Sequence, residues 1–381
     1  MKPLSLQALA DKVASPEVAL ARISTTYQPG GGQGSRVFPP TFPTSPQDRS
    51  PYLMESRVRD GEEVGVVVLD QVPSVANRCE EGLKNAWEAG DLKLPMLRLT
   101  HSLLGSSGIT GLDAPHRAYD AYWRDSLLDG VKFDKTSVGQ ALQGATADDA
   151  SALLKHDPTS LVYGTWNSHR KGRQVKFPRL YSSEIVGWKP LEGSRKAGRM
   201  DPVNLTGTRT GDGDEWAYAA GGEKSKGGKL SEIGHGNIAP QDAHGGVTIA
   251  EATRFTTISL TALARLRFGH LGEHEQQTAR VLLAALALLG DRLAFGGAGV
   301  WLRSGCDLVV ESETLEWVGR GGVIEEFTLD RAGALELYEQ ARAAAEAAGV
   351  QQELQPVELT PSPALAKAIE FSVTKAESAG E

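Results

Sequence analysis

Sixty consecutive residues, 187–246, carry 14 of the chain's 43 glycines, and they include the charged run GGEKSKGGKLSEIGHGNIAP. Glycine loses more backbone freedom on ordering than any other residue and offers no side chain to a core. Such a stretch reads as an inserted arm, mobile in the free protein, and the folded body must be assembled from segments on both sides of it. Those segments alternate in type. Residues 5–14 suit a short helix and 18–27 a strand. EVGVVVLD, 63–70, is a buried strand, and 73–89 is a helix with Pro73 in its first turn and Gly90 past its end. Residues 95–100 are strand-like, 148–155 helical and 160–164 extended. After the arm, 247–260 alternates like a strand, 278–289 is an apolar helix, 307–311 a strand and 331–348 a helix ended by Gly349. Hairpin-like pieces and a large insertion favour an α+β sandwich over a doubly wound parallel sheet. The predicted organisation is one module over 1–349 with an insertion over about 100–246, followed by a tail, 350–381, rich in Glu, Pro and Ser and read as partly disordered.

Charge is distributed as unevenly as glycine. The chain carries −8, yet residues 165–200 hold nine Lys/Arg against two Glu, a net of +7. In this island Arg170, Lys171, Arg173, Lys176 and Arg179 are interleaved with Trp166, Phe177, Tyr181 and Trp188. Cations neutralise phosphates and aromatic faces stack on unpaired bases, the combination that single-stranded nucleic acid requires. The plainer reading is a solvated loop beside buried aromatics. With the rest of the chain acidic, any nucleic-acid contact is local, a groove rather than a coat.

Two cysteines, Cys79 and Cys306, exclude a disulfide framework and a four-cysteine metal site, and fit a reducing, cytoplasmic setting. Asp11 and Lys12 interrupt the N-terminal stretch, which does not read as a signal peptide. The longest apolar run, 281–289, is too short to span a bilayer, so no membrane partner is expected.

Catalytic and cofactor motifs fail on inspection. GGEKSKGGKLS has Glu223 and Leu230 where a phosphate-binding loop needs Gly and Ser or Thr. FGGAGVWL follows a helix and has Leu302 where a dinucleotide fingerprint needs its third glycine. His270, Glu273 and His274 match an inverted zinc-protease pattern, but Gly272 sits inside the would-be helix. His235 and His244 have no further ligand cluster near them. Asp201, Asp212, Asp214 and Glu215 lack calcium-loop spacing and read as a solvated turn. Neither a metal nor a cofactor is expected, and no catalytic constellation is found.

Five blocks then occur in one order: GGQGSRVFPPTFP, SVANRCEEGL, GTWNSHRKGRQVKFPRLYSSEIVGW, KLSEIGHGNIAP and GGVTIAEATRFTTISLTALARLRFG. Over about 23–311 the chain resembles the RAMP-superfamily backbone (seven-type) subunit of type I-G (formerly I-U) CRISPR-Cas effector complexes (Cascade). FGGAGVWLRSG stands where that superfamily carries a glycine-rich loop, although its glycine spacing departs from the commonest pattern. The resemblance implies an RRM-like (ferredoxin-like) βαββαβ palm with inserted finger and thumb elements. It implies an oligomer of many copies along one CRISPR RNA, with guide bases left free to pair with target DNA in antiviral defence. The large subunit and the repeat-handle-binding subunit are the further partners it implies.

Site residues follow. Arg170, Lys171, Arg173, Lys176 and Arg179 would hold phosphates, with His169 beside them. Ser35 and Arg36 on the first loop, and Asn77 and Arg78 at a helix start, match family blocks and face RNA, or else Asn77 and Arg78 form a buried polar network. Lys224, Lys226, Lys229 and His235 belong to the arm. Trp166 and Phe177 either stack on bases or are buried in the palm. Two rivals remain. One is a metal-independent endoribonuclease that processes CRISPR RNA precursors, using His169 and Lys171. The other is a general single-stranded RNA-binding protein.

Overall fold

The computed structural model of the chain describes residues 2–44, 50–167, 175–211, 216–219 and 228–380. Its centre is an antiparallel sheet that curls into a half-barrel. The strands lie in the order Gly299–Arg303, Cys306–Gly319, Val18–Pro29, Glu251–Ser259, Tyr181–Trp188, Glu62–Asp70 and Met54–Arg59, and Ile324–Phe327 adds to the second of them. The fold is mixed α+β, as expected.

Alternation along the central strand shows why it sits there. Ala21, Ile23, Thr25 and Tyr27 are buried, while Arg22, Ser24 and Thr26 point to the opposite, more open face. The buried row shares one core with helices Leu6–Ala14, Val72–Glu88 and Glu273–Phe295, and helix Arg331–Ala347 packs against the last of these. The long helix is apolar all round from Val281 to Leu289 because it has neighbours on every side. Ser5 caps the first helix by accepting from the Ala8 N–H. On the open face Val66, Val68, Val186 and Trp188 form a second, smaller core.

One charged cluster lies inside the main core. Arg254 from the sheet meets Asp291 and Arg292 from the long helix and Glu313 from strand Cys306–Gly319. Tyr181 donates to Asp291 Oδ2 at 2.8 Å, and Arg292 Nη1 donates to Glu313 Oε2 at 2.6 Å. The Arg254 guanidinium also lies 4.3 Å from the Phe295 ring centroid. Charges this deep persist only when paired and hydrogen-bonded, and these are.

Three expectations need correction. The insertion expected over 100–246 is divided in two, because Tyr181–Trp188 is a strand of the central sheet. Its alternating Tyr181, Ser183 and Ile185 face the core despite the basic island around them. Residues 160–164 are not extended: Thr159–Tyr163 is a helical turn, started by the buried Asp157 carboxylate, which accepts from the Ser160 N–H and from the Thr159 and Ser160 hydroxyls. The tail is not a disordered appendage over the described residues. Val357–Pro361 runs parallel to Leu97–Leu99 and antiparallel to Ser126–Leu128, and Pro363–Gly380 is a helix.

The glycine-rich arm is built as a ribbon. Strands Leu191–Arg199 and Ile238–Thr248 pair antiparallel, and Arg36–Val37 joins at the base. Where the register shifts, a Cβ on Gly245 would stand 2.2 Å from the Gly193 carbonyl oxygen. Glycine is what lets the two backbones pass there.

Candidate functional site

The first loop gathers cations from three distant parts of the sequence. Gly32 and Gly34 adopt φ of +93° and +76°, so the chain after the central strand can turn back tightly. The Gly30 N–H donates to the Asp307 carbonyl at 2.7 Å and the Phe38 N–H to the Gly305 carbonyl at 2.9 Å, which pins the loop to the hairpin Gly299–Arg303/Cys306–Gly319. Ser35 is half-buried beside Gly31, and Arg36 is exposed. The Arg36 side chain runs over the base of the ribbon: a Cβ on Gly193 or on Gly246 would come within 2.9 Å of it. Arg195, on the ribbon, holds its guanidinium 5.5 Å from the Phe38 ring centroid. Arg303, at the hairpin turn, donates from Nη1 to the Pro39 carbonyl at 3.2 Å. All three arginines are exposed. Three exposed guanidiniums around one loop make a cationic surface of the kind that holds phosphates.

Sequence reasoning did not single out Arg195 and Arg303. Arg195 belongs to the basic island, which was the one available signal. Arg303 lies in FGGAGVWLRSG, the block set against the superfamily's glycine-rich loop, but only the fold brings it to the first loop.

Arg78 does not join this surface as a free cation. Its Nε donates to Asp70 at 2.7 Å, and its two other nitrogens donate to the carbonyls of Trp301 and Leu302 at 3.3 and 2.9 Å. Arg78 ties helix Val72–Glu88 to the end of the hairpin that holds the first loop. Asn77 is exposed and lies in a cleft of about 610 Å³ shared with Arg179. At its floor Arg117 grips Glu80 with bonds of 2.6 and 2.8 Å. Burial lifts the Glu80 carboxyl to about 7, even though Arg117 draws it down.

Lys176 is exposed, with its ammonium 5.6 Å from the ring centroid of Trp166, its cross-strand partner. Trp166 is half exposed, whereas Phe177, Tyr181 and Trp188 are buried, so of the island's four aromatics only Trp166 presents a face to solvent. Lys229 is exposed on a short strand next to Thr208, and His235 packs against Trp216 at 5.6 Å, both on the far part of the arm. His169, Arg170, Lys171, Arg173, Lys224 and Lys226 lie outside the described residues, as do Asp212, Asp214 and Glu215.

Asp201 is not part of a solvated turn. It is buried and accepts from the N–H groups of Val203, Leu205 and Gly236. Gly272 caps the long helix and leaves His270 outside it, with His274 in its first turn. His270 instead lines a cavity of about 750 Å³ with Asp149, His156 and Glu353. Among the described residues no group of three or more His, Cys, Asp or Glu is placed to hold a metal ion. No helix among them is long and apolar enough to cross a membrane.

Residues 21–190 match the family described as CRISPR-associated protein GSU0053. The match makes these residues similar to a CRISPR-associated family and covers less than half of the chain. No curated protein matches the sequence. The matched residues run from the central strand through the first loop and the Arg78 helix to the end of strand Tyr181–Trp188. Arg36 therefore lies inside the matched region, and Arg195 and Arg303 lie beyond it.

Proposed function

We propose that the protein is the RNA-binding backbone subunit of a CRISPR effector complex, of the RAMP superfamily and the type I-G kind. It would line up in several copies along one CRISPR RNA and present the guide's bases to target DNA. The observation that carries this reading is the meeting of Arg36, Arg195 and Arg303 on one glycine-rich loop. Such a surface grips phosphates without reading sequence, as a guide-holding subunit must, while base pairing supplies specificity.

Strand order supports the RRM-like part. Cys306–Gly319, Val18–Pro29, Glu251–Ser259 and Tyr181–Trp188 lie side by side, all antiparallel. In sequence, helix Val72–Glu88 separates the first and second of these four strands, and helix Glu273–Phe295 separates the third and fourth. With the intervening strands Met54–Arg59 and Glu62–Asp70 set aside, this order is what a βαββαβ palm with its fourth strand beside its first would have. The ribbon, which continues the interior strands Tyr181–Trp188 and Glu251–Ser259, supplies an element with which one copy can meet RNA or the next copy. A guide scaffold needs no catalytic groups, and we read the chain as non-catalytic.

The experiment is to purify the protein with its nucleic acid and sequence what is bound. RNA of guide length with repeat-derived ends, covered by several copies of the chain, is the expected result. Short RNA cut at a single position in a hairpin would instead favour the processing nuclease. RNA of no common origin would favour a general RNA-binding protein.

A further inference from the structure

A second feature deepens the RNA-binding reading and rests on it. Strand Thr165–Asn167 pairs with Val175–Phe177, and its Trp166 and Asn167 line a pocket of about 200 Å³. Tyr119, Trp123, Phe133, Gln143, Trp166 and Asn167 are among the residues that line it. Drug-sized ligands occupy about 300–1,000 Å³, so this pocket suits a single planar ring system.

Its groups are layered by depth. Trp123 and Phe133 are fully committed to the core, and the Trp123 indole N–H donates to the Arg117 carbonyl. Trp166 is different: it lines the same pocket while remaining 44% exposed. Tryptophan is costly to leave in water unless something covers its face. Beside it in the strand, Asn167 is 5% exposed and donates from Nδ2 to Gln143 Oε1 at 2.7 Å. Outside, the Lys176 ammonium stands over the indole. An aromatic face at the mouth, paired side-chain amides within and a cation outside match the three parts of a nucleotide: ring face, polar ring edge and phosphate.

The geometry points to this pocket as a receptor for one unstacked nucleobase of the bound single-stranded RNA, held against Trp166. It is separate from the arginine surface of the first loop, which holds backbone.

The test uses the full chain and a mixed-sequence single-stranded RNA oligomer, intact or carrying one abasic site moved stepwise along it. For the wild-type chain, an abasic site at one position per protein footprint should weaken binding about tenfold, the loss expected of one base–aromatic stack. Trp166→Ala should bind intact RNA about as weakly as the wild type binds that abasic oligomer, and should ignore the abasic site. Trp166→Phe should restore both affinity and sensitivity, which a merely misfolded hairpin would not. If Trp166→Ala binds intact RNA as the wild type does, or if no abasic position matters to the wild type, the pocket is not a base receptor and the backbone-subunit reading still stands. If the wild-type chain binds no RNA at all, both fall.

Discussion

The Arg254 guanidinium and the Asp291 carboxylate meet beneath the central sheet with neither side chain exposed to water. One comes from strand Glu251–Ser259 and the other from helix Glu273–Phe295, so the pair fixes how the main helix sits on the main sheet. Breaking it leaves a buried charge without its partner. Asp291→Ala should cost about 3–5 kcal/mol, whereas replacing Arg254 and Asp291 together by apolar residues of similar size should cost much less. Urea unfolding of the single and double variants measures the difference.

The same carboxylate predicts an acid limit. Burial alone pushes its pKa up, but the Arg254 and Arg292 guanidiniums overcome this and hold it at about 2, against 3.8 ordinarily. A folded-state pKa below the unfolded one means stability that is present above pH 3.8 and is lost as pH falls toward 2. The contribution is about 2 kcal/mol. Denaturant midpoints measured from about pH 6 to pH 2 should fall in that window, and Asp291→Asn should flatten the fall.

At the first loop, Arg36→Ala, Arg195→Ala and Arg303→Ala together should weaken binding about equally for all RNA sequences. Each arginine that no longer neutralises a phosphate should lower the log–log salt slope by about 0.7 for a single strand, or about 2 for three. Affinities over a series of salt concentrations decide this. The same slope in variant and wild type would remove these arginines from the RNA.

The ribbon can be broken at one atom. Gly245→Ala places a methyl group where the Gly193 carbonyl already lies, 2.2 Å away. The body should keep its melting temperature, because the two strands are mostly exposed. Protease cleavage within 191–248 should speed up, and assembly on guide RNA should shorten. A variant that assembles normally would make the ribbon dispensable.

Absence of catalysis is the last expectation. The chain should leave labelled precursor RNA, and single- and double-stranded DNA, intact with or without magnesium, manganese or zinc. Metal-independent cleavage that disappears in His169→Ala would establish the processing nuclease. Zinc-dependent cleavage that disappears in His270→Ala or His274→Ala would establish a metal site.

Local patterns in the sequence located four of the central sheet's eight strands and the helices packed on it. The period-two burial of Ala21, Ile23, Thr25 and Tyr27, and the unbroken run from Val281 to Leu289, are legible because each pattern is written within one element. Strand Tyr181–Trp188 was hidden by its charged surroundings. Asp291 and Arg292 look like the solvated end of an apolar helix; their burial depends on Arg254 and Glu313, which no local pattern ties to them. The candidate site divides in the same way. The Gly- and Pro-rich setting of Arg36 put it on a loop, and the family resemblance put it among the site residues. Arg195 and Arg303 become neighbours of it only after the ribbon and the hairpin have folded onto the loop. Arg78 kept two readings until its bonds to Asp70, Trp301 and Leu302 were visible.

Strand Val357–Pro361 sits between Leu97–Leu99 and Ser126–Leu128 as the middle member of its sheet. On a ribosome those two flanking strands emerge long before the strand that joins them. Closing so long a loop carries an entropic toll that local contacts cannot repay, so this sheet is completed late. Until then two strand edges stand open, and the nascent chain is at its most vulnerable to chaperone capture or mispairing.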